Sequence, residues 1–200
     1  MIYQSIADIY AANDTVRRQL AERVENLSPA QQTFRSAEGE WSIAEIVDHL
    51  SILEQSMVQL IGMLLRKSES ANAAVNTGDG GGGDAQTGAG APPFRPFSLD
   101  DFIEQVKEVK LTAPERVRPS GNVALADALA SLRRTRSEIE AMRPRLEAAD
   151  LNAATYPHPA FGELDIAQWL AFIGLHEGRH LRQIKNLMAA PGFAQSESSD

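Results

Sequence analysis

Cysteine is absent from all 200 residues. Disulfides, thiolate metal sites and a cysteine nucleophile are therefore excluded, and any metal must be held by nitrogen and oxygen. Positive charge is in short supply as well: 19 Lys and Arg stand against 27 Asp and Glu, a formal net charge of -8. Nucleic acids and anionic lipid surfaces are recognised by clustered cations, so neither is expected as a partner. No apolar run approaches the ~20 residues a spanning helix needs. The opening MIYQSIADIY lacks the basic-then-apolar order of a secretory signal, so a cytoplasmic location is expected. Aromatics make up only 6% of the chain, which leaves a core to be built mainly from aliphatic side chains.

What is present reads as helix. Ile6, Ile9, Tyr10, Val16, Leu20 and Val24 recur at steps of three and four, predicting a first helix over about Tyr3 to Glu25. Ser28-Pro29-Ala30 opens a further short turn. Ser42 and Glu45 have the spacing of a capping box, with Trp41 as the apolar staple before it. The helix that starts there carries Ile46, Val47, Leu50, Leu53, Met57, Leu60, Ile61 and Leu64.

Residues 68–97 break the pattern with Gly80-Gly81-Gly82-Gly83, further Gly and Ala, and Pro92, Pro93 and Pro96. Nothing there buries a face, so a disordered insertion is expected. The Lys and Ser/Thr of a phosphate-binding loop are missing from it. Ser98 and Asp100 then cap a short helix to about Val109. A third long helix is predicted from Asn122 or Val123 to Ala149, with Leu125, Leu129, Leu132, Ile139 and Leu146 inward and a kink or early end at Pro144. A loop around His158 leads to a last helix over about Leu164 to Ala189, and 191–200 reads as a flexible tail. Four long amphipathic helices without a convincing strand predict an all-α four-helix bundle. It would form one domain over 1–190, with a long crossover between the second and third long helices.

The chemistry lies in the histidines. His176 and His180 are one turn apart on the stripe Ile166, Trp169, Ile173, Ile184 and Leu187, so both imidazoles project from a buried face. A single histidine on an apolar face is most simply a core residue with its ring nitrogens satisfied, and that description suits His49 taken alone. It fails for the pair, because two adjacent buried imidazoles without a partner are costly. His49, flanked by Leu50 and Leu53, is placed to join them from the second long helix. Three neutral imidazoles with an open position suit zinc, nickel or ferrous iron. His158, between two prolines, reads as a turn residue within reach of the pocket. Glu45, one turn before His49, is a candidate acceptor for that ring. Glu177 points about 100° away from His176 around the helix, which suits a solvated residue or one that supports a ligand. Arg179 and Arg182 are candidates to meet an anionic substrate.

His176-Glu177-Gly178-Arg179-His180 also satisfies the H-E-x-x-H pattern of zinc proteases. Its extension fails, since Gln183 and Asn186 stand where Gly and a third His belong. No upstream strand is available to grip a peptide.

Three local patterns together resemble the DinB/YfiT-like metalloenzyme superfamily. They are Trp41 through His49-Leu50; Thr112-Ala113-Pro114-Glu115-Arg116 with Pro119 and Gly121; and His158-Pro159-Ala160-Phe161-Gly162 with Trp169, His176, His180 and Gln183-Ile184. The resemblance implies a four-helix bundle with one long crossover and a divalent metal held by His49, His176 and His180. Characterised members of that superfamily include thiol-dependent S-transferases and a mycothiol-dependent isomerase. The implied activity is metal-dependent thiol transfer between a low-molecular-weight thiol and a small electrophile. Metal-dependent hydrolysis and a non-catalytic, metal-stabilised binding protein are the alternatives. No catalytic side chain beyond the ligands is singled out. The sequence shows no clear dimer seam, although an acidic bundle could pair as a homodimer.

Overall fold

In the computed structural model, residues 1–77, 92–100 and 114–193 are described. Four long helices form the body: α1 (Ile6–Val24), α3 (Ile43–Thr77), α4 (Leu125–Ala148) and α5 (Ile166–Met188). A one-turn helix, α2 (Pro29–Thr33), lies between the first two. α1 packs on α5, and α3 lies against both α4 and α5. The fold is a four-helix bundle whose long crossover runs from Thr77 to Leu125.

Local chemistry explains where the helices begin. Ser5 accepts from the Asp8 amide to start α1. Ser42 and Glu45 make the reciprocal capping box at α3, at 3.3 and 2.8 Å. Asp165 and Gln168 do the same for α5, so that helix begins at Ile166 rather than Leu164.

Several expectations are corrected. α3 does not stop near Ser68; it continues to Thr77. An established helix adds residues cheaply, and Ser68 is held by its hydroxyl donating to the Asp150 carbonyl at 2.8 Å. The glycine-rich part of the expected insertion, the short helix after Ser98 from residue 101 onward, and the tail from 194 lie outside the described residues. Pro144 sits inside α4 without ending it. It is exposed and near the last turn, so the Glu140 carbonyl it frees faces water.

Strands also occur. β1 (Ile2–Tyr3) pairs antiparallel with β2 (Phe97–Ser98), tying the crossover to the start of α1. The expected loop around His158 is a hairpin, β3 (Thr155–His158) with β4 (Gly162–Asp165), turning at Gly162 with φ 70°. The last turn is less loose than expected, since Phe193 is buried and meets Phe34 edge-on at 5.5 Å.

The apolar core comes in two parts. One holds Tyr10, Met57, Ile61, Ile139, Leu146 and Ile173; the other holds Leu20, Ile46, Leu50, Leu132, Leu181 and Ile184. Between them each long helix contributes a buried polar residue at one level, Asn13, Glu54, Thr135 and Glu177, and the partly buried Arg17 joins them from α1. Arg17 Nε donates to Glu177 at 2.6 Å, Nη1 donates to the Leu132 carbonyl at 2.7 Å, and Nη2 pairs with Glu54. Thr135 donates to the other Glu54 oxygen at 2.6 Å.

Beside that band α1 and α5 approach closely. A Cβ added at Gly174 would lie 2.2 Å from Asn13 Oδ1, and Asn13 is itself fixed by donating to the Leu170 carbonyl at 2.9 Å. Gly174→Ala is expected to cost ~1–3 kcal/mol in urea unfolding. An unchanged midpoint would mean that Asn13 swings away freely.

Candidate metal centre

His49 from α3 and His176 and His180 from α5 converge. Their candidate ligand nitrogens all lie within 4.8 Å of one another. Ring centroids are separated by 5.3 Å (His49 to His176), 4.9 Å (His49 to His180) and 4.6 Å (His176 to His180). His49 and His180 are buried, and His176 is partly exposed. Around one tetrahedral cation, imidazole nitrogens at 2.0–2.1 Å from the ion stand about 3.4 Å apart. Small side-chain rotations would close the observed triangle, so the three residues fit a divalent metal.

Their electrostatics favour that use. Burial holds all three histidines below the ordinary imidazole range, His180 down to about 3. The rings therefore stay neutral at physiological pH, the state in which they can ligate. His49 Nδ1 lies 2.6 Å from the Val117 carbonyl, which can only accept. Nδ1 therefore carries the proton, and Nε2 is left with its lone pair. His180 Nδ1 meets Gln183 Oε1 at 2.9 Å, which likewise frees Nε2.

These partners are the residues that sequence reasoning missed. Val117 belongs to a short 3-10 turn (Glu115–Val117). Asp48, next to His49, pins that segment by accepting from the Ser120 amide and hydroxyl at 2.8 and 3.0 Å. The Pro114-Glu115-Arg116 pattern was visible in the sequence, but its task of carrying a carbonyl to His49 was not. Gln183 was noticed as a departure from the protease pattern and as part of the family resemblance, but not as the partner of His180.

Glu45 does not orient His49. It caps α3 and pairs with Arg35 at 2.6 Å. Glu177 is not solvated either: it is buried on the far side of α5 in the ion pair with Arg17. Burial pushes its carboxyl up to about 7. His158 is outside the three-histidine cluster. Its ring stacks on Phe161 at 4.4 Å, packs against Phe172 at 4.6 Å, and accepts from the Ala160 amide at 3.1 Å. It is a hairpin residue packed on Phe172, whose ring borders His176 at 5.9 Å, and burial lowers it to about 4. The Trp41 ring stands 4.9 Å from His49.

Residues 12–184 match the DinB superfamily. The chain belongs to the DinB superfamily. The uncharacterized protein YuaE of Bacillus subtilis (strain 168) is 25% identical over 170 residues, covering 82% of this chain and 87% of YuaE. Two solved structures share the fold. The four-helix bundle protein TT2238 superposes with a TM-score of 0.56 at 19% identity, over 91% of this chain and 99% of that one. YfiT from Bacillus subtilis, described as a probable metal-dependent hydrolase with an unusual four-helix bundle topology, gives a TM-score of 0.56 at 14% identity. That match covers 94% of this DinB-superfamily chain and 87% of YfiT. Among the described residues no helix is long and apolar enough to cross a membrane.

Proposed function

We propose that this DinB-superfamily protein is a divalent-metal enzyme that transfers a low-molecular-weight thiol to a small electrophile. His49, His176 and His180 would hold the metal, and zinc, nickel and iron all suit three imidazoles. The observation that carries the reading is the position of Glu177. The carboxylate that would serve as base in an H-E-x-x-H hydrolase is tied to Arg17 on the opposite side of the helix. Among the described residues, the histidines are thus left without a free carboxylate base beside them. A thiol starts near 8.5 and water at 15.7, so a metal without a base beside it has less to do to form a thiolate than a hydroxide. When bound, the cation supplies one thing, a bias toward the thiolate form of the co-substrate.

The chain does the rest. Val117 and Gln183 fix the tautomers of two ligand rings. Trp41, Phe172 and the His158 hairpin wall the site against water. A chain without cysteine offers no competing thiol. In the transfer the thiol proton goes to solvent and a sulfur lone pair forms the new S–C bond. The electrophile's leaving group departs with the electrons of the bond it loses.

Metal-dependent hydrolysis is the second reading, favoured by the likeness to YfiT. Metal analysis of protein purified without a histidine tag, beside His49→Ala and His176→Ala, tests the centre first. About one metal per chain is expected, lost in both variants. Loss in His176→Ala alone would remove His49 from the ligand set. A wild type that takes up no zinc, nickel or iron would overturn the reading. With metal in place, consumption of a small electrophile only when thiol is present supports transfer. Ester cleavage at a rate indifferent to thiol supports hydrolysis.

A further inference from the structure

The residue between the two α5 histidines that does not point away from them is Arg179. Its Nη2 lies 2.7 Å from Nε2 of His180, the same nitrogen that the Gln183 contact leaves free for a metal. The guanidinium therefore reaches the coordinating atoms themselves. Arg179 is exposed while His49 and His180 are buried, which places it at the mouth of the centre rather than under it.

A cation and a guanidinium cannot share one imidazole lone pair. Once the three histidines hold a metal, Arg179 must give up His180, and it has no carboxylate partner among the described residues. The nearby carboxylates are engaged elsewhere: Asp48 with Ser120, Glu45 with Arg35, and Glu177 with Arg17. Three neutral imidazoles, a divalent ion and an arginine would then leave the pocket strongly positive. An anion on the open side is what such a site lacks. The planar fork of arginine suits a carboxylate better than a point charge.

We propose that Arg179 is the specificity-determining residue of the centre and binds a carboxylate carried by the small molecule that enters it. This rests on the metal reading above and names the class of ligand: a carboxylate-bearing thiol or electrophile, held with its reactive end toward the histidines. Arg182 is a different case. It lies on the opposite face of α5, where with Gly174, Gly178, Asn13 and Val16 it lines a separate cavity of about 220 Å³.

The test uses the full chain loaded with cobalt(II), whose absorption reports thiol binding directly. Two probes of the same shape are compared, 3-mercaptopropionate and its neutral amide, 3-mercaptopropionamide. The wild type is expected to bind the carboxylate at least about tenfold more tightly than the amide, the scale of one charge-assisted contact. Arg179→Gln should keep its cobalt, bind the amide as before and lose the preference. Arg179→Lys should keep part of it, and Arg182→Gln all of it. An unchanged preference in cobalt-loaded Arg179→Gln would overturn the assignment while leaving the metal centre standing. Failure of either thiol to perturb the cobalt spectrum of the wild type would overturn it too. Absence of cobalt from the wild type would bring down the metal reading and this assignment together, so metal content is measured first.

Discussion

Arg17→Met should cost ~3–5 kcal/mol of folding stability, because it removes the cation that pairs with two buried carboxylates. Domains of this kind have ~5–15 kcal/mol in total, so one side chain outside the histidine cluster would remove a large share. Arg17 meets Glu54 and Glu177 at once and also satisfies the Leu132 carbonyl. Glu54 and Glu177 are 5% and 2% exposed, too little for water to replace the lost partner. The loss has a ceiling set by protonation. Burial already pushes Glu177 up to about 7, so without Arg17 its carboxyl takes up a proton instead of remaining a bare charge. The deficit should therefore be smaller at pH 6 than at pH 8. The triple variant Arg17→Met, Glu54→Gln, Glu177→Gln should recover most of the loss, since no buried charge is left without a partner. Urea unfolding of the three proteins at both pH values decides it. A loss below ~1 kcal/mol for Arg17→Met would show that the band is open to water.

The same band marks the limit of what the sequence could reveal. Periodicity found the four helices because aliphatic residues on one face are a local signal, and Ser42 with Glu45 marked the start of α3 within four residues of chain. The two α5 histidines were legible for that reason, one turn apart on an apolar stripe. Glu177 was not. In the sequence it is one more polar residue in a helix, and its partner Arg17 is 160 positions away. Val117 was out of reach in a different way, because a backbone carbonyl leaves no trace in residue identity. The β1–β2 ribbon has two residues per strand, too few to show alternation. Pro157 in β3 and Pro159 just after it pointed to a loop, and an isolated hairpin edge tolerates proline where a sheet interior would not. The stretch from Ser68 to Thr77 carries no apolar stripe, so nothing local distinguished the end of a long helix from the start of a linker.

Zinc should raise the melting temperature of the metal-free protein, and His176→Ala should abolish the rise. Binding only to the folded state stabilises it by ~2.7 kcal/mol at a hundredfold excess over the dissociation constant. For a chain of this length that corresponds to roughly 5–10 °C. The size of the effect follows from how the histidines are held. Burial has already made the rings neutral, so uptake of the ion displaces no proton from His180 or His176 near pH 7. The same low values make the metal-free protein sensitive to acid, with a definite sign. Each histidine would protonate near 6.5 when unfolded but resists doing so when folded. Stability is thus intact above about 6.5 and is lost as pH falls toward the folded values, about 3 for His180 and about 4 for His158. Glu177 works in the opposite direction, being favourable at low pH and losing that advantage as pH rises toward about 7. Asp165, also raised by burial, works the same way, which makes two carboxylates against four histidines, so the histidines dominate and acid destabilises by several kcal/mol. Thermal melts from pH 7.5 to 4.5, with and without zinc, separate the contributions. Metal-free wild type should fall steeply across that range, and zinc should hold the upper part of it flat. His158→Phe should remove only its own share of the acid sensitivity while leaving the zinc shift in place, because its ring lies outside the cluster. Equal zinc shifts in wild type and His176→Ala would mean that the ion binds somewhere other than between α3 and α5.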